Sequence, residues 1–439
     1  MKTQTWAKAA RTLLLGGAAA GAMMALAVPA QAATKSDKAE IEALRAQVEA
    51  LTARLDAAEA AQRATSAQAA DAQATAAQAQ ATASAADAKV LTIPTQVQTA
   101  VAAIPAPKPK TSWADNTSVN GRMYFDLSNI DVKSNGVKKA PSGTGFDIKR
   151  FYVGIDHKFN DVFSANITTD VQYSSAISST EIFIKKAYLQ AKISDGLVVR
   201  LGATDLPWVP YVEDLYGYRY IENTIADRTK FATSSDWGVH AAGKLGDTGL
   251  SYAVAVVDGA GYKAPLRSKG MDIEGRLSYK VQDFNFAIGG YTGKLGKDIE
   301  GGVPVYHTAN RFDAVAAYVT KSTRLGVEYF SAEDWNQVTS VASDKSDGYS
   351  LFASYKWDEQ WSVFGRYDRV KPKKDLASSL EDTYFNLGVS YSPTKIVDLA
   401  LVYKRDKVDN GTLSTSNGTI GGSNDGTYDE LGLFGQLRW

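Results

Sequence analysis

From Trp113 to Trp439 the chain repeats one device, a stretch of about ten residues in which apolar and polar side chains alternate before a turn or polar loop. In a pleated strand, residues two apart share a face. In the third stretch Phe163, Ala165, Ile167, Thr169, Val171 and Tyr173 lie on one side, and Ser164, Asn166, Thr168, Asp170 and Gln172 on the other. In the fourteenth, Phe385, Leu387, Val389 and Tyr391 oppose Asn386, Gly388 and Ser390. The pattern predicts sixteen strands, at 117–131, 148–159, 162–173, 182–193, 197–204, 237–245, 249–257, 270–280, 284–292, 311–320, 324–332, 347–357, 361–370, 383–391, 396–407 and 427–439.

The connections are expected to alternate in length. Tight turns such as Ser194-Asp195-Gly196, Gly246-Asp247-Thr248 and Asp358-Glu359-Gln360 follow even segments, and longer polar loops follow odd ones. All seven prolines after residue 112 fall in expected loops or turns, as ladder hydrogen bonding requires. Phe159, Trp237, Tyr279, Tyr355, Trp357, Trp361 and Tyr391 gather at segment ends, where an interfacial girdle belongs. A soluble sandwich tolerates odd strand counts and irregular loops. An even count with alternating connections points instead to an all-β transmembrane barrel of 16 antiparallel strands.

The residues before Trp113 are of three kinds. Lys2, Lys8 and Arg11 precede an apolar Ala/Gly-rich run from Leu13 to Val28 and an A-x-A site, Ala30-Gln31-Ala32, so 1–32 is expected to be a cleaved signal peptide. In 33–90, Ile41, Leu44, Val48, Leu51 and Leu55 form a heptad seam that Ala58, Ala69, Ala72, Ala76, Ala79, Ala83 and Ala86 continue. Glu40 with Arg45, and Arg54 with Glu59, take the flanking positions. A periplasmic α-helical coiled coil is expected here, and three chains are the natural number for a coiled coil joined to a pore. Pro94, Pro105, Pro107 and Pro109 mark 91–112 as an extended linker, and 113–439 is the barrel.

Composition excludes several functions. The chain has no cysteine, and its 48 basic residues match its 48 acidic ones, so no nucleic-acid partner is expected. Three histidines, His157, His240 and His307, leave little for imidazole chemistry. No serine motif accompanies His240, so an outer-membrane phospholipase or protease is not expected. Neither cofactor nor metal is expected.

Sixteen strands enclose a water-filled lumen. Alternation points Arg122, Arg150, Arg200, Arg276 and Arg366 inward at mid-strand, among acids such as Asp126 and Asp368. The bland reading is mutual neutralisation. The sharper one is a basic strip suited to phosphate or carboxylate. The connection 205–235 is long for a loop, and loops of that length usually carry function. It holds Trp208, Tyr211, Tyr216, Tyr218 and Tyr220, the acids Asp205, Glu213, Asp214, Glu222 and Asp227, and the bases Arg219, Arg228 and Lys230. So many aromatics are expected to fold inward and narrow the pore, with loop acids facing wall arginines.

With IKRFYVGIDHKF at 148–159, KAYLQAKISDGLVVRLGATDLPW at 186–208 and SSDWGVHAAGKL at 234–245, the chain resembles the sixteen-stranded trimeric general porins, and among them the phosphate-selective porin O and P family. The resemblance covers the first half of the barrel. It implies a homotrimer in the outer membrane of a Gram-negative bacterium, embedded in lipid and lipopolysaccharide, with its third long loop in the channel. The final TYDELGLFGQLRW resembles an assembly signal, with Trp439 where most relatives end in Phe. A passive channel for small hydrophilic solutes, weakly anion-preferring for phosphate or small carboxylates, is expected. The alternatives are a sugar-selective porin, which the loop aromatics suit, and an anchor whose coiled coil tethers the envelope.

Overall fold

The chain divides between Ala106 and Pro107, and the computed structural model describes residues 35–102, 112–174 and 179–439. The expected signal peptide and Pro105, Pro107 and Pro109 lie outside those residues.

In the first unit one helix, α1 (Lys35–Ala102), runs for 68 residues. It passes the expected boundary at 90 and continues through Pro94. Proline's fixed φ suits a helix and removes a single hydrogen bond, so one proline among helix-compatible neighbours need not end it. Leu44, Val48, Leu51 and Leu55 are exposed along this single helix, at 55% for Leu44 and 64% for Leu51. Glu59 pairs with Arg63 along the helix at 3.2 Å. No helix among the described residues is long and apolar enough to cross a membrane, which says nothing about strands.

The second unit opens with a short 3-10 turn, Trp113–Asn116, capped by the Ser112 hydroxyl. Sixteen long strands follow. They are β1 (Thr117–Ser134), β2 (Gly143–Lys158), β3 (Phe163–Ser174), β4 (Ser179–Ser194), β5 (Leu197–Asp205) and β6 (Ser235–Lys244). Next come β7 (Leu250–Val257), β8 (Asp272–Val281), β9 (Phe284–Gly293), β10 (Ala309–Val319) and β11 (Thr323–Glu333). The last are β12 (Lys345–Lys356), β13 (Trp361–Lys371), β14 (Glu381–Thr394), β15 (Val397–Asp409) and β16 (Asp425–Arg438). Each pairs antiparallel with the next, and β16 pairs back onto β1 with Arg122 opposite Arg438. The barrel is therefore closed and has no free edge. A two-residue arm, Val137–Lys138, folds onto the end of β1.

The burial pattern is inverted relative to a soluble protein. Leu127, Leu201, Ile288, Leu387, Leu401 and Leu431 are exposed on the outer wall, while Asp126, Asp313, Glu328, Asp368, Lys404 and Glu430 are buried inside. An apolar exterior around a polar interior is what a hydrocarbon solvent selects. Six of the expected girdle aromatics lie at the turn rim, where Trp357 stacks on Trp361 and Trp361 packs on Tyr391 with centroids 4.6 Å apart. Trp237 is at the opposite rim, donating from Nε1 to the Tyr262 carbonyl.

Three local expectations change. The connection after β3 is only 175–178, because β3 and β4 keep pairing to Ser174 and Ser179. Pro393 lies within β14, where the ladder slips between Tyr391 and Thr394 and no donor is needed. Bulges also break strict alternation. The register shifts between Tyr124 and Phe125 opposite β2, and between Thr168 and Thr169 opposite β4. One residue is left over in each place, Lys149 and Lys185. Both turn inward beside Arg150 and Lys186, with Lys149 over the Phe434 ring and Lys185 donating to Ser234 Oγ at 2.6 Å. A bulge re-aims a side chain in this way, and sequence alternation carries no sign of it.

Candidate functional site

The connection 206–234 folds into the barrel. Its first turn is α2 (Val209–Tyr216), with Pro210 in the opening turn and Gly217 closing it at φ 82. The Arg324 guanidinium bonds the Asp214 and Leu215 carbonyls at 2.7 and 2.9 Å, placing a cation at the negative end of the helix. A second short turn, α3 (Ile225–Arg228), follows.

One side of the barrel holds this loop. Trp208 is fully buried against Gly289, where a Cβ would collide with its ring. It donates from its backbone to Glu274 at 2.9 Å and from Nε1 to Glu328 at 3.0 Å. Tyr216 meets Phe352 edge-on, Tyr218 stacks on Phe364 at 4.0 Å, and Phe231 packs on Phe330. The hydroxyls of Tyr218 and Tyr220 share hydrogen bonds with Ser362 and Ser390. These partners sit on β8 to β14.

Charge completes the anchoring, with the expected signs at Glu222 and the opposite signs at Arg228. Arg228 is fully buried and bonds Asp368 at 3.0 Å, Asp382 at 2.5 Å and Asp406 at 3.0 Å. A loop base thus meets wall acids. Burial opposes the guanidinium charge, but the three carboxylates hold its pKa well above the ordinary value. Glu222 lies between Lys404 at 3.6 Å and Ser416, whose hydroxyl donates to it at 2.5 Å. Burial alone would raise the Glu222 pKa; Lys404 and Lys149 outweigh it and bring it to about 2.

The predicted basic strip does not form as one feature. Arg366 is buried in the anchor, bonding Asp368 at 2.6 Å and the Asn223 carbonyl at 2.5 Å. Arg122 is exposed inside the barrel, 3.3 Å from the Tyr124 hydroxyl. Arg150 bonds Asp170 at 2.9 Å on the neighbouring strand. Arg200 donates from Nε to Gln190 at 2.8 Å, and Arg276 lies 3.9 Å over the Tyr211 ring at the root of the loop. On the loop, Arg219 pairs with Glu213 at 2.5 Å, Asp214 is exposed, and Tyr218 is half-buried. Lys230 is exposed with φ 66 and gives its carbonyl to Trp335 Nε1.

Two anchors escape the sequence pattern. Asp382 lies one residue before the expected span 383–391. The hairpin Thr412–Thr415 with Gly418–Gly421, between β15 and β16, dips inward. There Ser416 donates its N–H to the Arg228 carbonyl at 2.8 Å, and Asn417 bonds Asp406 at 3.1 Å. Asn417-Gly418, flanked by Leu413 and Ile420, is a hairpin signal in the sequence. It reveals the turn and not its destination.

No protein-family model matches the chain. An uncharacterised protein of Aquifex aeolicus (strain VF5) is 23% identical over 318 residues, covering 60% of this chain and 72% of that one. An anion-selective porin from Comamonas acidovorans superposes with a TM-score of 0.53 at 13% identity, covering 74% of this chain and 99% of that one. The in-vitro folded OmpT of Vibrio cholerae, in its trimer form, gives 0.52 at 14% identity over 74% and 99%. OmpF of Salmonella typhi in complex with daunomycin gives 0.50 at 13% identity over 75% and 99%. The fold of residues 117–438 is thus that of the bacterial outer-membrane porins, a closed barrel of sixteen antiparallel strands.

Proposed function

We propose that this chain is an outer-membrane porin, a passive diffusion channel for small hydrophilic solutes with a weak anion preference. One observation carries the reading: a long loop lies inside a closed sixteen-stranded barrel and bonds to one side of its wall. Such a loop narrows a lumen without serving as a free plug. The opposite side, β1 to β5, carries Arg122, Lys149, Arg150, Lys185, Lys186 and Arg200 against Asp126, Asp156, Asp170 and Asp205, a small basic excess. On the loop side Arg228 and Arg366 engage Asp368, Asp382 and Asp406 in buried pairs, so the half-exposed cations of the opposite side weigh more on solutes in the open lumen. The loop aromatics are used in packing on Phe352, Phe364 and Phe330, which speaks against a sugar-stacking ladder.

The rest of the reading follows from this one. Residues 1–32 direct export, the barrel sits among outer-membrane lipid and lipopolysaccharide, and three copies associate. The exposed Leu44, Val48, Leu51 and Leu55 supply the seam of a periplasmic coiled coil. The test is the reversal potential of the mature protein in a planar bilayer across a salt gradient. An anion-directed potential is expected. Absence of channels sinks the porin reading, and a cation-directed potential sinks the anion preference alone.

A further inference from the structure

On the inner wall, Arg200 of β5 stands directly opposite His240 of β6. Along the next ladders Ala242 faces Ala253, and Ala253 faces Arg276 of β8. Two alanines between two arginines leave a gap, and the loop root at Pro207, Pro210 and Tyr211 covers it. The result is a recess of about 220 Å³ at the side of the lumen.

Its polar groups are incompletely satisfied. Arg200 bonds Gln190 through Nε alone, and its terminal nitrogens have no protein acceptor among the described residues. Arg276 gives Nη1 to Ser278 at 3.0 Å, and its buried Nε has no partner. His240 is 6% exposed, and neither ring nitrogen makes a hydrogen bond. Buried donors without acceptors mark a place where a ligand acceptor is missing. Asp205, at the edge, is taken by Lys186 and Ser235. Asp214 is the second carboxylate of the lining, and with Asp205 paired to Lys186 it is left facing the two guanidinium groups.

We propose that this recess binds a small carboxylate that carries an apolar body. The inference rests on the channel reading and names a solute class for it. A guanidinium matches a carboxylate in shape and charge. Val198, the alanines and the two prolines offer nothing to the remaining oxygens of a hydrated oxyanion, and His240 and Tyr211 supply at most one donor each, so such an ion would lose water there with little compensation. A flat hydrocarbon body suits the same walls. The volume is below the roughly 300–1,000 Å³ of sites for drug-sized ligands, which limits the body to about one ring.

Calorimetry on the detergent-solubilised mature protein tests this, with sodium benzoate and, at matched ionic strength, sodium phosphate as probes. Benzoate is expected to bind about tenfold or more tightly than phosphate. Arg276→Gln should weaken benzoate by about tenfold, and Ala253→Leu should remove binding by filling the recess with no change of charge. If Ala253→Leu does not fold, Ala242→Val serves the same purpose. The proposal is overturned if wild type does not bind benzoate, if phosphate binds equally well, or if the filled variant binds as wild type does. Bilayer recordings on the same preparation separate the two readings. Binding without channels removes the porin and keeps the site, and channels without benzoate binding do the reverse.

Discussion

Arg228 Nη2 in the inner loop lies 2.5 Å from Asp382 Oδ2 on β14, and neither side chain retains any exposure. Asp368 and Asp406 share the same guanidinium, so the loop is fastened to three adjacent strands by one side chain. Removing one partner of a buried charge cluster leaves the others uncompensated, at a cost of about 3–5 kcal/mol. Arg228→Ala should therefore lower the urea midpoint of the folded barrel, release the loop and change single-channel conductance. Arg228→Lys, which keeps the charge but reaches fewer acids, should fall between. An alanine variant with wild-type midpoint and conductance would show that the cluster does not hold the loop.

The barrel closes at Trp439, which exchanges backbone hydrogen bonds with Gly121 at 3.1 and 3.2 Å. A Cβ on Gly121 would lie 2.0 Å from the Trp439 ring, which also packs on Phe151. Gly121→Val should overpack this seam by about 1–3 kcal/mol. A lower yield of heat-modifiable folded barrel on a cold gel is the expected readout. Trp439→Phe in the same background should restore part of that yield, because the smaller ring clears the added methyls.

Glu222 has its pKa lowered from 4.5 to about 2 by Lys404 and Lys149, against the effect of burial. A depressed pKa stabilises the folded form above the unfolded value and loses that effect as pH falls through the folded one. The contribution is thus full above pH of about 4.5, declines from there to about 2, and amounts to roughly 3 kcal/mol. Glu222→Gln should reduce the urea midpoint at pH 7 and weaken its fall between pH 5 and 3. Parallel acid profiles for variant and wild type would contradict this.

Leu44, Val48, Leu51 and Leu55 are exposed on one stripe of α1. If copies of the helix pair through this stripe, Val48→Asp with Leu51→Asp should reduce the mass seen in sedimentation while the β circular dichroism of the barrel persists. Deletion of 35–90 should leave a conducting barrel. Unchanged mass in the double variant would remove the coiled coil from the reading.

Sequence by itself determined the strands, their number and, away from the bulges, their faces. A side-chain period of two is a local property, and it located each strand to within about five residues, as at Gly143 against the expected 148. Local pattern also marked 205–235 as a loop too aromatic to leave in water. Tertiary structure decided which side of the barrel receives that loop and which charges meet. Arg228 and Asp406 are 178 residues apart, and no local signal pairs them. Bulges at Tyr124 and Thr168 turned Lys149 and Lys185 inward, because one extra residue reverses the face that alternation predicts. The same closure set Arg200 and Arg276 on either side of two alanines and made a recess that neither residue's own strand contains.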